Sequence, residues 1–525
     1  MSVTPLRYLA IALLSLPALL LGNVIRVPAD LSTIQAALDA IADQDTVLVA
    51  NGEYLEHLLA PPFTFYLLGD VPIDTGDFAR PIIDPSTLIE DSACALRLVV
   101  GSRPYVERIR FHNQLDMFNR SRYGGGVYLE QGDSATFRYC AFDSTYLAFY
   151  QDWHHHADFV ELDHCVFRYY ITQTDLRETS VHAHDCLFAD LTWTYSLVCG
   201  SNSTIESCHF AQSRWTYLTS SGGNAVVEDC VFGPGGPHES VMVYLDDFKG
   251  RFANNLLQNS TIQDGVDVFP ALPAGAVIEG NTFYNLNRVP PVVASVLCVF
   301  CNTDDNGAFY QVKHNVMQAC TLGTFSRAIR AKGHGMFTNN RIYDLGSPTI
   351  PAILMEGDNV AVFHDNLIFN TGLAMRANLN GAPLDARLNW WGDSTGPYNA
   401  NANPQGTGEE VGNNILFDPW LQDSSLIESV TSRPPLPTAY TLSVYPNPFN
   451  SQTRLRFSAV TGDIYQLDLF DLLGRKVQSL WKGPALGVME VEFDARELAS
   501  GIYFARLTQS IYLRPLATTK LVLMK

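Results

Sequence analysis

Val226 to Phe232 reads VVEDCVF. Val227 stands three places before Cys230, and Phe232 stands two places after it. The phrase recurs along most of the chain. The place of Cys230 is filled elsewhere by Ile109, Cys140, Cys165, Cys186, Cys208, Asn255, Asn281, Asn315, Asn340, Asn366 and Asn389. Two places further on stand Phe111, Phe142, Phe167, Phe188, Phe210, Leu257, Phe283, Met317, Ile342, Ile368 and Trp391. Three places before stand Val106, Phe137, Leu162, Ala183, Ile205, Phe252, Ile278, Val312, Phe337, Phe363 and Ala386. Most steps between copies are 21 to 26 residues, and a fixed period of that size marks a solenoid.

The phrase itself selects the kind of solenoid. An offset of two is strand alternation, whereas the odd offset of three demands a bend between two short strands. The residue before the reference place is usually polar or small, as in His164, Asp185, Ser207, Asp229, Asn254, Gly280, Asn339 and Asp365, and such residues favour turns. Each repeat is then one coil of short strands stacked on the next. At a strand spacing of about 4.8 Å, the twelve copies would stack into a rod of about 58 Å. Stacked asparagines can pass amide hydrogen bonds up an internal ladder, and stacked cysteines make a small apolar column.

These columns resemble those of the pectin-lyase-like right-handed parallel β-helix family, over roughly residues 23–421. The resemblance implies an all-β, right-handed parallel β-helix solenoid with an N-terminal helical cap. It specifies the fold far more than any activity. Two further phrases resemble secreted members. Near the start, Thr33, Ile34, Gln35, Ala36, Asp45, Thr46, Val47, Gly52, Tyr54 and Glu56 fit an opening cap, with Ile34, Ala37, Leu38 and Ile41 on one helix face and Asp30 or Ser32 to begin it. Near the end, LNWWGDSTGPYNANANPQGTGEEVGNNILFDPWL (Leu388 to Leu421) fits a closing phrase. Trp390 and Trp391 could bind sugar or close the last coil, and closure is favoured because large aromatics mostly bury.

Composition bounds the rest. The chain has 525 residues, 17% charged and 47% hydrophobic, with a net charge of −20. Residues 437–525 hold ten Lys/Arg against seven Asp/Glu, a surplus of +3 that leaves −23 on the remainder. So acidic a body repels nucleic acid and anionic membranes. Acidic polysaccharide would need a bridging divalent cation such as calcium. Residues 1–22 read as a signal peptide, with Arg7 before the short apolar run Leu9 to Leu21. The expected mature chain has no membrane span. Five of the ten cysteines (Cys140 to Cys230) stand in one inward column, which suits packing better than crosslinking. Cys298 and Cys301 form a lone CxxC, read as structural thiols or a disulfide ahead of zinc.

A Pro-rich linker at 426–438 separates the helix domain, 23–425, from a last block, 439–525. Its several short strands predict a small immunoglobulin-like β-sandwich. The block resembles the type A C-terminal sorting domain of the type IX secretion system. The match rests on YPNPFN (Tyr445 to Asn450), DLLGRKV (Asp471 to Val477), LASGIYFARL (Leu498 to Leu507) and the terminal TKLVLMK (Thr519 to Lys525). It implies recognition by that machinery, and secretion or display on the outer surface of a Gram-negative-type bacterium.

Three constellations are candidates for chemistry. Asn302-Thr303-Asp304-Asp305 with Gly333-His334-Gly335 resembles part of the polygalacturonase set, in which paired carboxylates exchange protons. The second acidic pair is missing, and Arg341-Ile342-Tyr343 comes too early to complete the set, so a polar turn is the simpler reading. Asp152-Trp153-His154-His155-His156 lies near His164, His182 and His184. Such histidines could gather a metal or act as a base, or line a solvated loop. Trp193-Thr194-Tyr195 and Trp215-Thr216-Tyr217 stand 22 residues apart and would stack on adjacent coils. They form a sugar platform if exposed and a core stack if not. Lys249 and Arg251 follow Asp246 and Asp247 without the spacing of a lyase site.

Two function classes follow: a non-catalytic surface or glycan-binding β-helix, or a polysaccharide lyase or glycoside hydrolase. The first is preferred because no acid/base set converges. A side-face groove that gathers carboxylates, or a carboxylate with Arg or Lys, would favour the second.

Overall fold

The computed structural model describes residues 22–72, 80–85, 94–112, 125–130, 133–143, 147–151, 157–168, 174–189, 196–212, 216, 218–235, 241–262, 264–270, 275–288, 295–300, 309–320, 327–345, 350–357, 361–379, 382–426, 441–459, 464–472, 475–484, 487–496, 498–509 and 514–525. The expected export signal up to residue 21 and nearly all of the expected linker lie outside them. The chain divides into two units, Met1–Glu206 with Leu218–Ala225, and Ser207–Tyr217 with Val226–Lys525.

The first unit opens with a strand, Val24–Val27, and the helix Ile34–Ala40. Ile34, Ala37, Leu38 and Ile41 are all buried, as their spacing predicts. The cap is Thr33, not Asp30 or Ser32: its hydroxyl accepts from the Ala36 amide at 3.2 Å. Asp30 is engaged elsewhere, accepting from the Arg26 amide at 2.8 Å. The Glu56 carboxylate takes the next two free amides, Ile34 and Gln35, both at 2.9 Å, so the first turn is satisfied from both sides.

Coils follow, each with up to three short strands on three faces. One coil runs through Phe159–Asp163, Val166–Arg168 and Thr174–Leu176. The next runs through Ser180–His184, Leu187–Ala189 and Leu197–Cys199. Every pairing is parallel and in register: Leu162 against Ala183, Phe167 against Phe188, Leu176 against Cys199. The phenylalanine column is therefore a stack of rings. Phe111–Phe142, Phe142–Phe167 and Phe167–Phe188 lie 5.1, 4.7 and 4.6 Å apart, tilted by no more than 15°.

The bend between first and second faces is a single residue in left-handed conformation. In the first unit these are Arg108, Tyr139, His164 and Asp185, at φ between 49° and 59°. In the second they include Ser207, Asp229, Asn254, Gly280, Asn339 and Asp365, at φ between 53° and 67°. Asn, Asp and Gly tolerate this region best, which explains the polar column before each reference residue. The bend then points the following residue inward.

In the second unit, that inward residue builds the amide ladder. Asn255, Asn281, Asn315, Asn340 and Asn366 each donate Nδ2 to the Oδ1 of the next asparagine, at 2.9–3.0 Å, ending on Asn389. Each accepting oxygen also takes the backbone amide of the preceding asparagine, at 2.8–3.0 Å. All six are at most 1% exposed, and a buried amide tolerates burial only when partnered in this way. Near the end of the coils Trp391 is wholly buried and Trp390 half-buried, in keeping with closure.

The last strands form two antiparallel sheets. One holds Leu442–Tyr445, Gln452–Ala459 and Gly487–Asp494; the other holds Lys476–Pro484, Ile464–Phe470, Gly501–Gln509 and Arg514–Leu523. Leu455, Phe457, Tyr465, Leu467, Leu507 and Leu521 are buried together between them. This is the small sandwich that the strand pattern predicts.

Candidate functional site

Two places before the reference residue, the outward side of the first face carries charge. Glu107, Arg138, Asp163, His184 and Glu206 occupy that place on successive coils of the first unit. The ladder pairs Glu107 with Arg138, Arg138 with Asp163, Asp163 with His184, and His184 with Glu206. The left-handed residues His164 and Asp185 flank this row. A groove of about 570 Å³ opens over it, lined in part by Arg138, Glu161, Asp163, His164, His184 and Glu206.

The contacts are short. Arg138 Nε lies 2.7 Å from Asp163 Oδ2. His164 Nδ1 lies 2.5 Å from Asp163 Oδ1, and its Nε2 lies 3.5 Å from Asp185 Oδ2. His184 Nδ1 lies 3.1 Å from Asp185 Oδ2 and 3.9 Å from Asp163 Oδ1. Two imidazoles on adjacent coils thus share two carboxylates. Rings pack against the lining histidines: Tyr139 sits 4.8 Å from His164, and Phe159 meets His182 edge-on at 4.7 Å.

The charges hold one another. The hydrogen bonds that it donates to Asp163 and Asp185 push the His184 imidazole up to about 10. Burial works to raise the Asp163 carboxyl, but the hydrogen bonds from His164 and His184, with Arg138 behind them, hold it well below the usual carboxylate range. At neutral pH this is a fixed pair of opposite charges.

A second cluster lies on the third face of the second unit. Asp264 pairs in the ladder with Ser295, and Asp267 with Cys298. Asp264 Oδ1 accepts from the Ser295 amide at 2.7 Å and lies 3.8 Å from Cys298 Sγ. Burial and the Asp267 charge push the Asp264 carboxyl up to about 7, and burial pushes Asp267 up to about 6. Two carboxyls near neutrality fall in the range a general acid uses.

Of the sequence candidates, His334 is exposed on the first-face strand His334–Thr338, beside Phe309. Its flanking glycines answer to packing. Gly333 has φ 96°, and a Cβ on Gly335 would stand 2.0 Å from the ring of Tyr310, which is wholly buried. Asp304, Asp305, Trp193, Tyr195, Trp215, Tyr217, Cys301 and residues 152–156 lie outside the described residues. Thr216, between two of them, is buried. Cys298 and the column cysteines are buried thiols outside any disulfide. Sequence reasoning named His164, His182 and His184 but missed Arg138, Asp163, Asp185 and Glu206. The signal lies two places before the reference residue for Arg138, Asp163 and Glu206, and one place before it for Asp185.

Among the described residues no helix is long and apolar enough to cross a membrane. Residues 443–522 match the secretion system C-terminal sorting domain family. The search of curated proteins finds no match. Among solved structures, the Agl-KA catalytic domain aligns at 13% identity and a TM-score of 0.36, over 64% of this chain and 62% of its own. This chain thus spans less than two thirds of that structure. A variant of the periplasmic alginate epimerase AlgG aligns at 10% identity and a TM-score of 0.30, over 65% of this chain and 73% of its own. A second variant of that epimerase aligns at 11% identity and a TM-score of 0.29, over 65% and 74%. Its coils and its matched C-terminus make this chain a parallel β-helix protein with a sorting domain, exported by type IX secretion to the cell surface or the medium.

Proposed function

We propose that the chain binds glycan outside the cell, with the saccharide seated in the groove over Arg138, Asp163, His184 and Glu206. One observation carries this reading: the groove gathers charged side chains and imidazole rings, and the pair at its centre, His184 and Asp163, stands far from neutrality. His184 is pushed up to about 10 and Asp163 is held low. A general acid or base works best near the ambient pH. Fixed charges and ring faces instead suit recognition of hydroxyl-rich polymer. Trp193, Tyr195, Trp215 and Tyr217 belong to the same proposal as a stacking platform, and the sorting domain at 439–525, behind a linker at 426–438, as the part that the export machinery handles.

The test is retention on a panel of neutral and acidic polysaccharides, with and without calcium, while reducing ends and unsaturated products are read in the same samples. Retention without cleavage, reduced about tenfold in Arg138→Ala and Glu206→Gln, is the expected result. Retention unchanged in both variants would remove the groove from the reading.

Cleavage would shift the proposal to a second reading, glycan hydrolysis or elimination at Asp264 and Asp267. That reading is favoured by two carboxyls pushed up to about 7 and about 6. Asp304 and Asp305, shortly after the strand Ser295–Phe300, and His334 stay attached to it. Asp264→Asn would then abolish product formation and leave retention intact.

A further inference from the structure

We infer that Asp163, His164 and His184, with Asp185 as fourth donor, form a binding site for a divalent transition metal of the zinc class. The inference rests on the cluster alone and needs no saccharide in the groove. One ligating atom from each of Asp163, His164 and His184 falls within 4.8 Å of the other two. A tetrahedral metal with bonds of 2.0–2.1 Å sets its donors roughly 3.3 Å apart. The separations from His184 Nδ1 to Asp185 Oδ2, from His164 Nε2 to Asp185 Oδ2, and from His184 Nδ1 to Asp163 Oδ1 are 3.1, 3.5 and 3.9 Å. These three straddle that distance; His164 Nδ1 lies 2.5 Å from Asp163 Oδ1 while its Nε2 faces Asp185, so the shell closes when the His164 ring and the Asp163 carboxylate turn apart to present one atom each.

The donor types choose the metal. Two imidazoles with two carboxylates suit zinc, copper, nickel or iron, whereas calcium and magnesium prefer oxygen alone. The backbone is set before any metal arrives. His184 and Asp163 sit opposite each other in a hydrogen-bonded ladder, and His164 and Asp185 occupy the fixed left-handed bends of adjacent coils. The His184 side chain is 52% exposed and that of His164 40% exposed, so an ion can reach both. The bonds that form are metal–nitrogen and metal–oxygen. The proton on His184 leaves to solvent, and the ion pairs among the four side chains are replaced.

The experiment is calorimetric titration of the chelator-stripped full chain with zinc, repeated with cobalt and read by visible absorption. One equivalent is expected, with proton release seen as a dependence of the heat on buffer, and with the intense bands of four-coordinate cobalt. His164→Ala and His184→Ala should each lower zinc affinity at least about tenfold. His182→Ala, on the same strand, and His364→Ala, in the second unit, should leave it unchanged. Circular dichroism of each variant separates lost binding from lost fold, and His184→Gln provides a milder change if the alanine variant misfolds. Absence of zinc uptake by the wild type would overturn the inference. So would uptake that survives both His164→Ala and His184→Ala, or uptake that calcium competes away as readily as zinc itself.

Discussion

The interior column of this chain is built in two chemistries. In the first unit, Cys140, Cys165 and Cys186 donate their thiols to the carbonyls of Val106, Phe137 and Leu162, at 3.3–3.5 Å. In the second unit, Asn281, Asn315 and Asn340 donate their amides to the carbonyls of Phe252, Ile278 and Val312, at 2.8–2.9 Å. The acceptor is the same place in the repeat each time. The requirement of the fold is therefore one donor aimed at one carbonyl, and either residue meets it. The difference lies on the accepting side. An asparagine oxygen also receives the amides of the neighbouring coil, whereas a thiol accepts only weakly. Where the column is thiol, the neighbouring column is phenylalanine throughout, with Phe142, Phe167 and Phe188 stacked in the first unit and Phe210 on Phe232 in the second. Where it is amide, that column mixes Leu257, Phe283, Met317, Ile342 and Ile368. Coils are coupled by rings in one region and by amides in the other.

The largest effect expected from breaking this comparison is at Asn315. Asn315→Ala takes the side-chain acceptor from the Asn281 amide and removes one partner each from the carbonyls of Ile278 and Lys313 and from the side chains of Asn281 and Asn340. We expect a loss of about 3–5 kcal/mol in denaturant unfolding. Asn315→Cys keeps the bond to Ile278 and should recover about 1–2 kcal/mol of that loss. If the two variants were equally destabilised, the shared-donor account would fail.

Next in size is the ring stack. Phe167→Leu, between two rings within 4.7 Å, should cost about 1–2 kcal/mol. Phe283→Leu, whose in-register neighbours are Leu257 and Met317, should cost less. Cys165→Ala removes one weak donor and little volume, for about 1 kcal/mol. A Cys165→Ala loss as large as that of Asn315→Ala would mean that the thiols couple coils as strongly as the amides do.

The smallest effect is on the outer face, and it depends on pH. The His184 imidazole is pushed up from its ordinary 6.5 to about 10. Its stabilising contribution is full below about pH 6.5 and disappears as pH rises through about 10. The melting-temperature gap between wild type and His184→Ala should therefore be widest near pH 6 and close by pH 10. Because His184 is half exposed, screening holds the gap to about 1 kcal/mol or less. A gap that widened with pH would show that the imidazole is not held protonated.

Much of the fold was legible because a solenoid repeats in one dimension. The columns of Cys230, Val227 and Phe232 can be read by counting, and the polar residue before each reference place marked its left-handed bend. The start of the helix was misassigned because Asp30, Ser32 and Thr33 are all capping residues. Which of them caps depends on where the chain enters the first coil, and Asp30 was already held by the Arg26 amide. The candidate site was only partly legible. His164 and His184 stood out by type, but their carboxylate partners did not.

By itself, the sequence determined the coil, its interior columns, the capped start, the two-sheet C-terminus and the export route, because these follow from periodicity and contiguous motifs. Only the tertiary structure decided which outward side chains meet. Asp163 and His184 are 21 residues apart in the chain and become neighbours through the ladder, while Asp185 reaches back from its bend to both histidines. The interior tolerates few residue types, so its pattern repeats. The exterior tolerates many, and only the stacking of coils turns a varied column into a shared site.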